Sequence, residues 1–192
     1  MSAAVEKRIF VVDYNHSWPD TFEALRRPIW AAVSDAALSV EHVGSTAVPG
    51  LAAKPIIDMD VIVVSRVKIA EVIARLAPLG YVHAGDLGVE DRAALRSPEA
   101  SPAHHLYVCL EGSAALTNHL TLRNFLRRNP VAAAEYGRLK KQLAEHFPTD
   151  VDSYIAAKTE FIVGALRNSG FPDSVLRAIR DANLRPAAVK GT

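Results

Sequence analysis

The apolar positions change period several times along the chain, and each change predicts an element. Residues 8–13 are β-branched and aromatic and read as a short strand. Ser17 then offers a helix cap and Pro19 suits a first helical turn, where the missing N–H is harmless. Phe22, Leu25, Ile29, Trp30 and Val33 recur at helical spacing, with core packing as the plain role of Trp18 and Trp30. Residues 38–43 predict a second strand. Residues 44–54, with Gly44, Pro49 and Gly50, predict a sharply turning loop. Residues 55–64 are apolar except for two aspartates, the pattern of a strand covered on both faces. A helix over 67–79 stops at Gly80, and 81–83 begin another strand. Residues 84–103 carry Gly85, Gly88, Pro98 and Pro102 without clear periodicity and read as a long loop. Residues 105–110 alternate as a strand. From Leu116 onward the pattern is helical: to about residue 128, then 130–146, 150–167, and a short helix at 173–181 before a frayed tail. Leu139, Leu143, Tyr154, Ile155, Phe161 and Ile162 would form the shared core of these helices.

Strands and helices first and helices last indicate an α+β protein. An α/β-type core with a mixed sheet and flanking helices would occupy 1–112. A C-terminal helical cap, 113–192, would pack on it within one compact domain. A chain of 192 residues is long enough to bury such a core. Lys+Arg number 22 against 21 Asp+Glu, a net charge of +1, so nothing electrostatic favours nucleic acid or an anionic membrane as partner. The opening residues lack the basic start and apolar centre of a signal peptide. The most apolar run is interrupted by Asp58 and Asp60 and cannot span a bilayer. Cys109 is the single cysteine, which rules out an internal disulfide. A cytoplasmic location is the expectation.

Chemistry concentrates around 44–60. Asp58 and Asp60 lie two apart on a predicted strand and so share a face, with β-carbons roughly 6.6 Å apart. Two carboxylates so placed can converge on divalent cations, and in an apolar strand they need compensation from metal, water or a cationic partner. Gly44 lets backbone approach a ligand closely, and the N–H groups at and after Ser45 can receive phosphate oxygens. Lys54 can neutralise a phosphate or pair with the aspartates. Arg92 and Arg96 in the long loop, and Arg123, Arg127 and Lys158 on the helices, are further cations for a phosphate. Solvated charge or surface ion pairing is the competing role for each. If Leu106, Val108 and Leu110 face the core, then His105, Tyr107 and Cys109 face the cleft. Among the histidines, His104, His105 and His119 match no familiar zinc spacing, and His42 suits a bond to nearby backbone. Cys109 reads as a small buried apolar residue.

The string from Glu41 through Val43-Gly44-Ser45, a gap of twelve, and Asp58-Met59-Asp60 resembles the nucleotidyltransferase superfamily. More narrowly, residues 41–58 resemble the GrpB family of that superfamily. Asp13 to Pro19, His105 to Val108, Leu122 to Arg127 and Tyr154 to Ile162 resemble the same family, so that the likeness covers roughly 8–168. It implies a nucleotidyltransferase-like sheet and transfer of a nucleoside monophosphate from a nucleoside triphosphate, or a related phosphorylated small molecule, to an acceptor. On that resemblance Gly44 and Ser45 hold the triphosphate, and Asp58 and Asp60 bind Mg²⁺ or Mn²⁺ and act in catalysis. Lys54, His105, Arg123 and Lys158 are the further ligand-binding residues. The superfamily's third carboxylate has no counterpart on the 105–110 strand, Glu111 lying beyond it on the other parity. Asn124 stands where the family pattern often has an acid. A non-catalytic module binding a nucleotide or another anionic metabolite is therefore the second reading.

Overall fold

The computed structural model describes residues 8–184. Six α-helices and five strands run in the order α1 (Trp18–Val33), β1 (Ser39–Val43), β2 (Ile57–Val63), α2 (Arg66–Leu76), β3 (Val82–His83), β4 (Arg92–Arg96), β5 (His104–Leu110), α3 (Ala114–Arg128), α4 (Pro130–His146), α5 (Val151–Asn168) and α6 (Asp173–Leu184). The strands form one mixed sheet in the order β1-β2-β5-β4-β3. β1 pairs antiparallel with β2, β2 pairs parallel with β5, and β4 pairs antiparallel with both β5 and β3. The architecture is α+β.

Two faces of β2 do different work. Met59, Val61 and Val63 are fully buried and join Leu106, Val108, Ala93 and Leu95 in the main core beneath α1 and α2. Alternation sends Asp58, Asp60 and Ile62 to the opposite face. There Ile62 and Cys109 pack under Leu116 and Leu120 of α3, so the helical region covers part of this second face. Val48 and Leu51, from the loop before β2, pack with Leu126, Ala133 and Tyr136 and bind the loop to α3 and α4.

Several elements depart from the sequence reading. Residues 8–13 form no strand; a single antiparallel bridge joins Val12 to Ala53. Their apolar side chains serve the helices instead, where Ile9 packs with Ala144 and Tyr154 and its N–H reaches the Pro148 carbonyl at 2.6 Å. Ser17 precedes α1 but makes no side-chain cap; its own N–H and hydroxyl donate to Asn15 Oδ1 at 2.9 Å. The long loop contains β4, whose Arg-Ala-Ala-Leu-Arg sequence lacks β-branched residues. Pairing with β5 overrides that local preference. Helix α2 ends in a 3₁₀ turn, and Gly80 supplies the left-handed residue that stops it. The tail expected beyond α6 lies outside the described residues.

Candidate functional site

The parallel register sets Asp58 beside His105 and Asp60 beside Tyr107, with Cys109 next along. From the other side β1 sets Glu41 opposite Asp60. His105 Nδ1–H donates to Asp58 Oδ1 at 2.8 Å, and His119 Nδ1–H, arriving from α3, donates to Asp60 Oδ2 at 2.8 Å. Asp58 keeps 31% of its side chain exposed, whereas Asp60 is wholly buried and its Oδ1 has no hydrogen-bond partner. Burial disfavours charge on His119, but the bond to Asp60 and the charges of both aspartates outweigh it and raise its pKa. Tyr107 carries the Arg92 guanidinium over its ring at 4.5 Å, and burial raises its phenol to about 12, so it stays protonated.

Gly44 closes the arrangement. Its φ of +69° lies in the left-handed region, and a β-carbon there would stand 2.2 Å from Asp58 Oδ2. Only glycine lets the turn touch the carboxylate. Ser45 then opens a 3₁₀ turn through Ala47, and Lys140 of α4 donates from Nζ to Ser45 Oγ at 2.7 Å. Ser45, Asp58, His105, Lys54, Lys140, Tyr154 and Lys158 line a cavity of about 80 Å³. Lys158 sits over the Tyr154 ring at 4.8 Å and Lys140 over the Tyr136 ring at 4.6 Å.

Burial, and secondarily the charge of Lys158, pushes Lys140 down to about 7; burial and the charge of Lys54 push Lys158 down to about 8. Three lysines facing one carboxylate make a cavity in which a bound anion would favour their charged forms. If the phosphates of ATP seat there, both lysines should return toward ordinary values and the complex should take up protons. At pH 8.5, calorimetry in buffers of different ionisation enthalpy should show about one to two protons taken up per ATP. Binding with no uptake would show that these lysines are not what holds it.

Of the residues singled out from sequence, Gly44, Ser45, Lys54, Asp58, His105 and Lys158 meet around this cavity, with Asp60 just behind it. Arg123 does not. Its Nη1 donates to Glu41 Oε2 and to the His42 carbonyl, both at 2.8 Å. Arg127 donates to the Ala47 carbonyl and so braces the turn from outside. His42 is tied not to backbone but to Thr46 Oγ1 at 3.1 Å, and it stacks on Phe22. Burial takes it down to about 4, leaving it neutral. His104 turns to the other side, bonding Tyr81 and the Pro102 carbonyl. Cys109 is fully buried, and burial raises its thiol.

Three participants were not assigned to the site from sequence, His119 having been weighed only for zinc. Lys140 lies on the buried stripe of α4 with Ala133, Tyr136, Gly137 and Ala144, and a lysine at that spacing was the available signal. His119 occupies the α3 face toward β5 without a comparable sequence mark. Glu41, opposite Asp60 in the register, is a third carboxylate beside the pair, but it comes from β1, where parity on β5 could not reveal it, and Arg123 binds it.

Among the described residues no group of three His, Cys, Asp or Glu side chains is arranged to hold a metal by itself. The pair Asp58 and Asp60, with the orphaned Asp60 Oδ1, nevertheless fits a magnesium-type cation that brings water and phosphate oxygens as its other ligands.

The family described as "GrpB protein" matches residues 8–168. The chain belongs to the GrpB family. A GrpB protein of Enterococcus faecalis, solved by crystallography, is 35% identical, with a TM-score of 0.75 over 88% of this chain and 98% of its own. UPF0157 protein YqkA of Bacillus subtilis is 31% identical over 164 residues; the match takes in 85% of this chain but spans only about half, 48%, of YqkA. The Cid1 poly(U) polymerase is a far more distant structural likeness, 14% identical with a TM-score of 0.47. No helix among the described residues is long and apolar enough to cross a membrane.

Proposed function

We propose that this GrpB-family chain binds a nucleoside triphosphate together with Mg²⁺ or Mn²⁺ and works as a nucleotidyltransferase-like protein. What carries this reading is the three-lysine cavity that opens directly onto Asp58 beside the Gly44–Ser45 turn. Lys54, Lys140 and Lys158 would receive phosphate oxygens, with Ser45 Oγ available once Lys140 turns toward the anion. Asp58 and Asp60 would hold the cation, whose contribution is charge stabilisation at the phosphoryl groups. His105 and His119 fix the two carboxylates in orientation.

A second reading, binding without transfer, is favoured by one observation. Glu41, the carboxylate opposite Asp60 on β1, is engaged by Arg123.

Thermal unfolding with each nucleoside triphosphate and Mg²⁺ or Mn²⁺ tests the shared core of both readings. Wild type should gain about 2.7 kcal/mol at a hundredfold excess of ligand over Kd, a rise of several degrees. Asp58→Asn and Asp60→Asn should remove the metal-dependent part. No shift with any combination would sink the nucleotide reading. A shift without label transfer to acceptors of any class would select binding over transfer.

A further inference from the structure

The lysine-lined cavity of about 80 Å³ has room for phosphate groups but not for a whole organic molecule, since ligand pockets usually run to about 300–1,000 Å³. It shares Ile56 and His105 with a neighbouring cleft of about 390 Å³. That cleft exists because α3 covers the aspartate face only where Leu116 and Leu120 meet Ile62 and Cys109. Beyond Tyr107 the sheet continues into β4, and the register puts Ala94 opposite Tyr107. Ala94 lies on the floor with only a methyl group, and Arg96, two residues on, rises from the same face. Leu87, from the turn before β4, and Ala84 complete an apolar wall.

Two further features mark this wall. Leu87 and Asp91 both hold positive φ, 53° and 58°, a conformation that non-glycine residues adopt at some expense. The turn is anchored from outside, where Arg66 binds Asp91 at 2.6 Å and Glu90 at 3.0 Å. It thus holds a 46%-exposed leucine at the cleft. Arg96 finds no carboxylate partner among the described residues, although it lies within reach of a ligand seated on Ala94.

We propose that this cleft is a second-substrate site for a small planar molecule carrying an anionic group and a hydroxyl. The ring would lie over Ala94 between Leu87 and Tyr107, the anion would meet Arg96, and the hydroxyl would point past His105 toward Asp58. The proposal rests on the phosphate reading of the lysine cavity, and it assigns the acceptor to a class: a compact aryl or heteroaryl acid rather than a polynucleotide end. The small cleft and the net charge of +1, without a tract of cations to follow a phosphate backbone, both point that way.

The test is isotope-edited NMR of the full chain with 4-hydroxybenzoate as the probe, phenol as the uncharged control and ATP with Mg²⁺ as a separate titration. The probe should perturb the amides of Leu87, Ala94, Leu95 and Tyr107. Arg96→Glu, a change at an exposed position, should weaken it by about tenfold or more, to the level of phenol. Ala94→Phe should abolish binding, and both variants should keep the ATP response at Lys140 and Lys158. Absence of perturbation at these amides up to the probe's solubility limit overturns the proposal, as does unchanged affinity in Arg96→Glu. ATP perturbing Leu87 and Ala94 in competition with the probe also overturns it, because the cleft would then belong to the nucleoside. Probe binding in the cleft with no ATP response anywhere would support the site and sink the phosphate reading alone.

Discussion

Replacing Lys140 with methionine should raise the stability of the protein while greatly weakening its hold on a triphosphate. Lys140 is 3% exposed, sits on the apolar stripe of α4 and makes one hydrogen bond, to Ser45 Oγ. A buried ammonium compensated by that bond, the Tyr136 ring and the charge of Asp58, but still dominated by burial, disfavours the folded state. Its pKa is about 7 in the fold against 10.5 when unfolded, so between those values the unfolded chain binds the extra proton. Stability therefore rises with pH through that window, and the burden of the charge is present in full below pH 7. Methionine fills the same volume without the charge. At pH 6.5 the variant should gain about 1–2 kcal/mol, and the gain should shrink toward pH 10. Affinity for ATP should fall by about a hundredfold, the effect of removing one partner of a buried charge-assisted bond. Denaturant unfolding at several pH values and calorimetric titration measure the two effects separately. A variant that is less stable at every pH would assign Lys140 to scaffolding. One that is more stable but binds ATP as well as wild type would move the phosphate site elsewhere.

That trade-off marks where sequence reasoning succeeded and where it stopped. The aspartate pair was legible as a pair because a strand has period two, which puts two carboxylates at alternate positions on one face, whatever compensates them. The same parity argument put His105 and Tyr107 on the aspartate side of β5, where the register indeed sets them against Asp58 and Asp60. Gly44 was legible as a point of close approach, though only the structure reveals that what approaches is Asp58 itself. Parity failed at Glu41, since its relation to Asp60 depends on the antiparallel pairing of β1 with β2, a fact of register rather than of local pattern. It failed again at β4, whose composition favours a helix and whose strand state comes from its neighbours. Arg123 was placed at the phosphate by family likeness. A helix rotated so that Leu116 and Leu126 are buried instead brings it to Glu41 at the sheet edge. Residues 8–13 show the converse error: Ile9 and Val11 are used for packing against α4 and α5, and the segment forms only the Val12–Ala53 bridge.

Gly44→Ala should disable the site through one atom. The residue has φ +69° and ψ −169°, a region that alanine enters at a penalty of about 1–3 kcal/mol. The added methyl would also stand 2.2 Å from Asp58 Oδ2 and 2.9 Å from its Cγ, distances no real β-carbon tolerates. Asp58 must therefore swing away, lose its bond to His105 and leave the lysine cavity without its carboxylate wall. Gly50 is the natural control. Its φ is also positive, at +77°, but a β-carbon there would meet nothing within 4 Å, so Gly50→Ala suffers only the backbone penalty. Both variants should melt several degrees below wild type, Gly44→Ala lower of the two, and only Gly44→Ala should lose its metal-dependent ATP response. A double-mutant cycle separates clash from backbone strain. In an Asp58→Ala background the carboxylate is absent and only the β-carbon contact at 3.0 Å remains, so Gly44→Ala should there destabilise much less than in wild type, approaching the effect of Gly50→Ala. Were the penalty at Gly44 unchanged in that background, the glycine would be serving the turn alone, and Asp58 would owe its position to His105 rather than to the close passage of the chain.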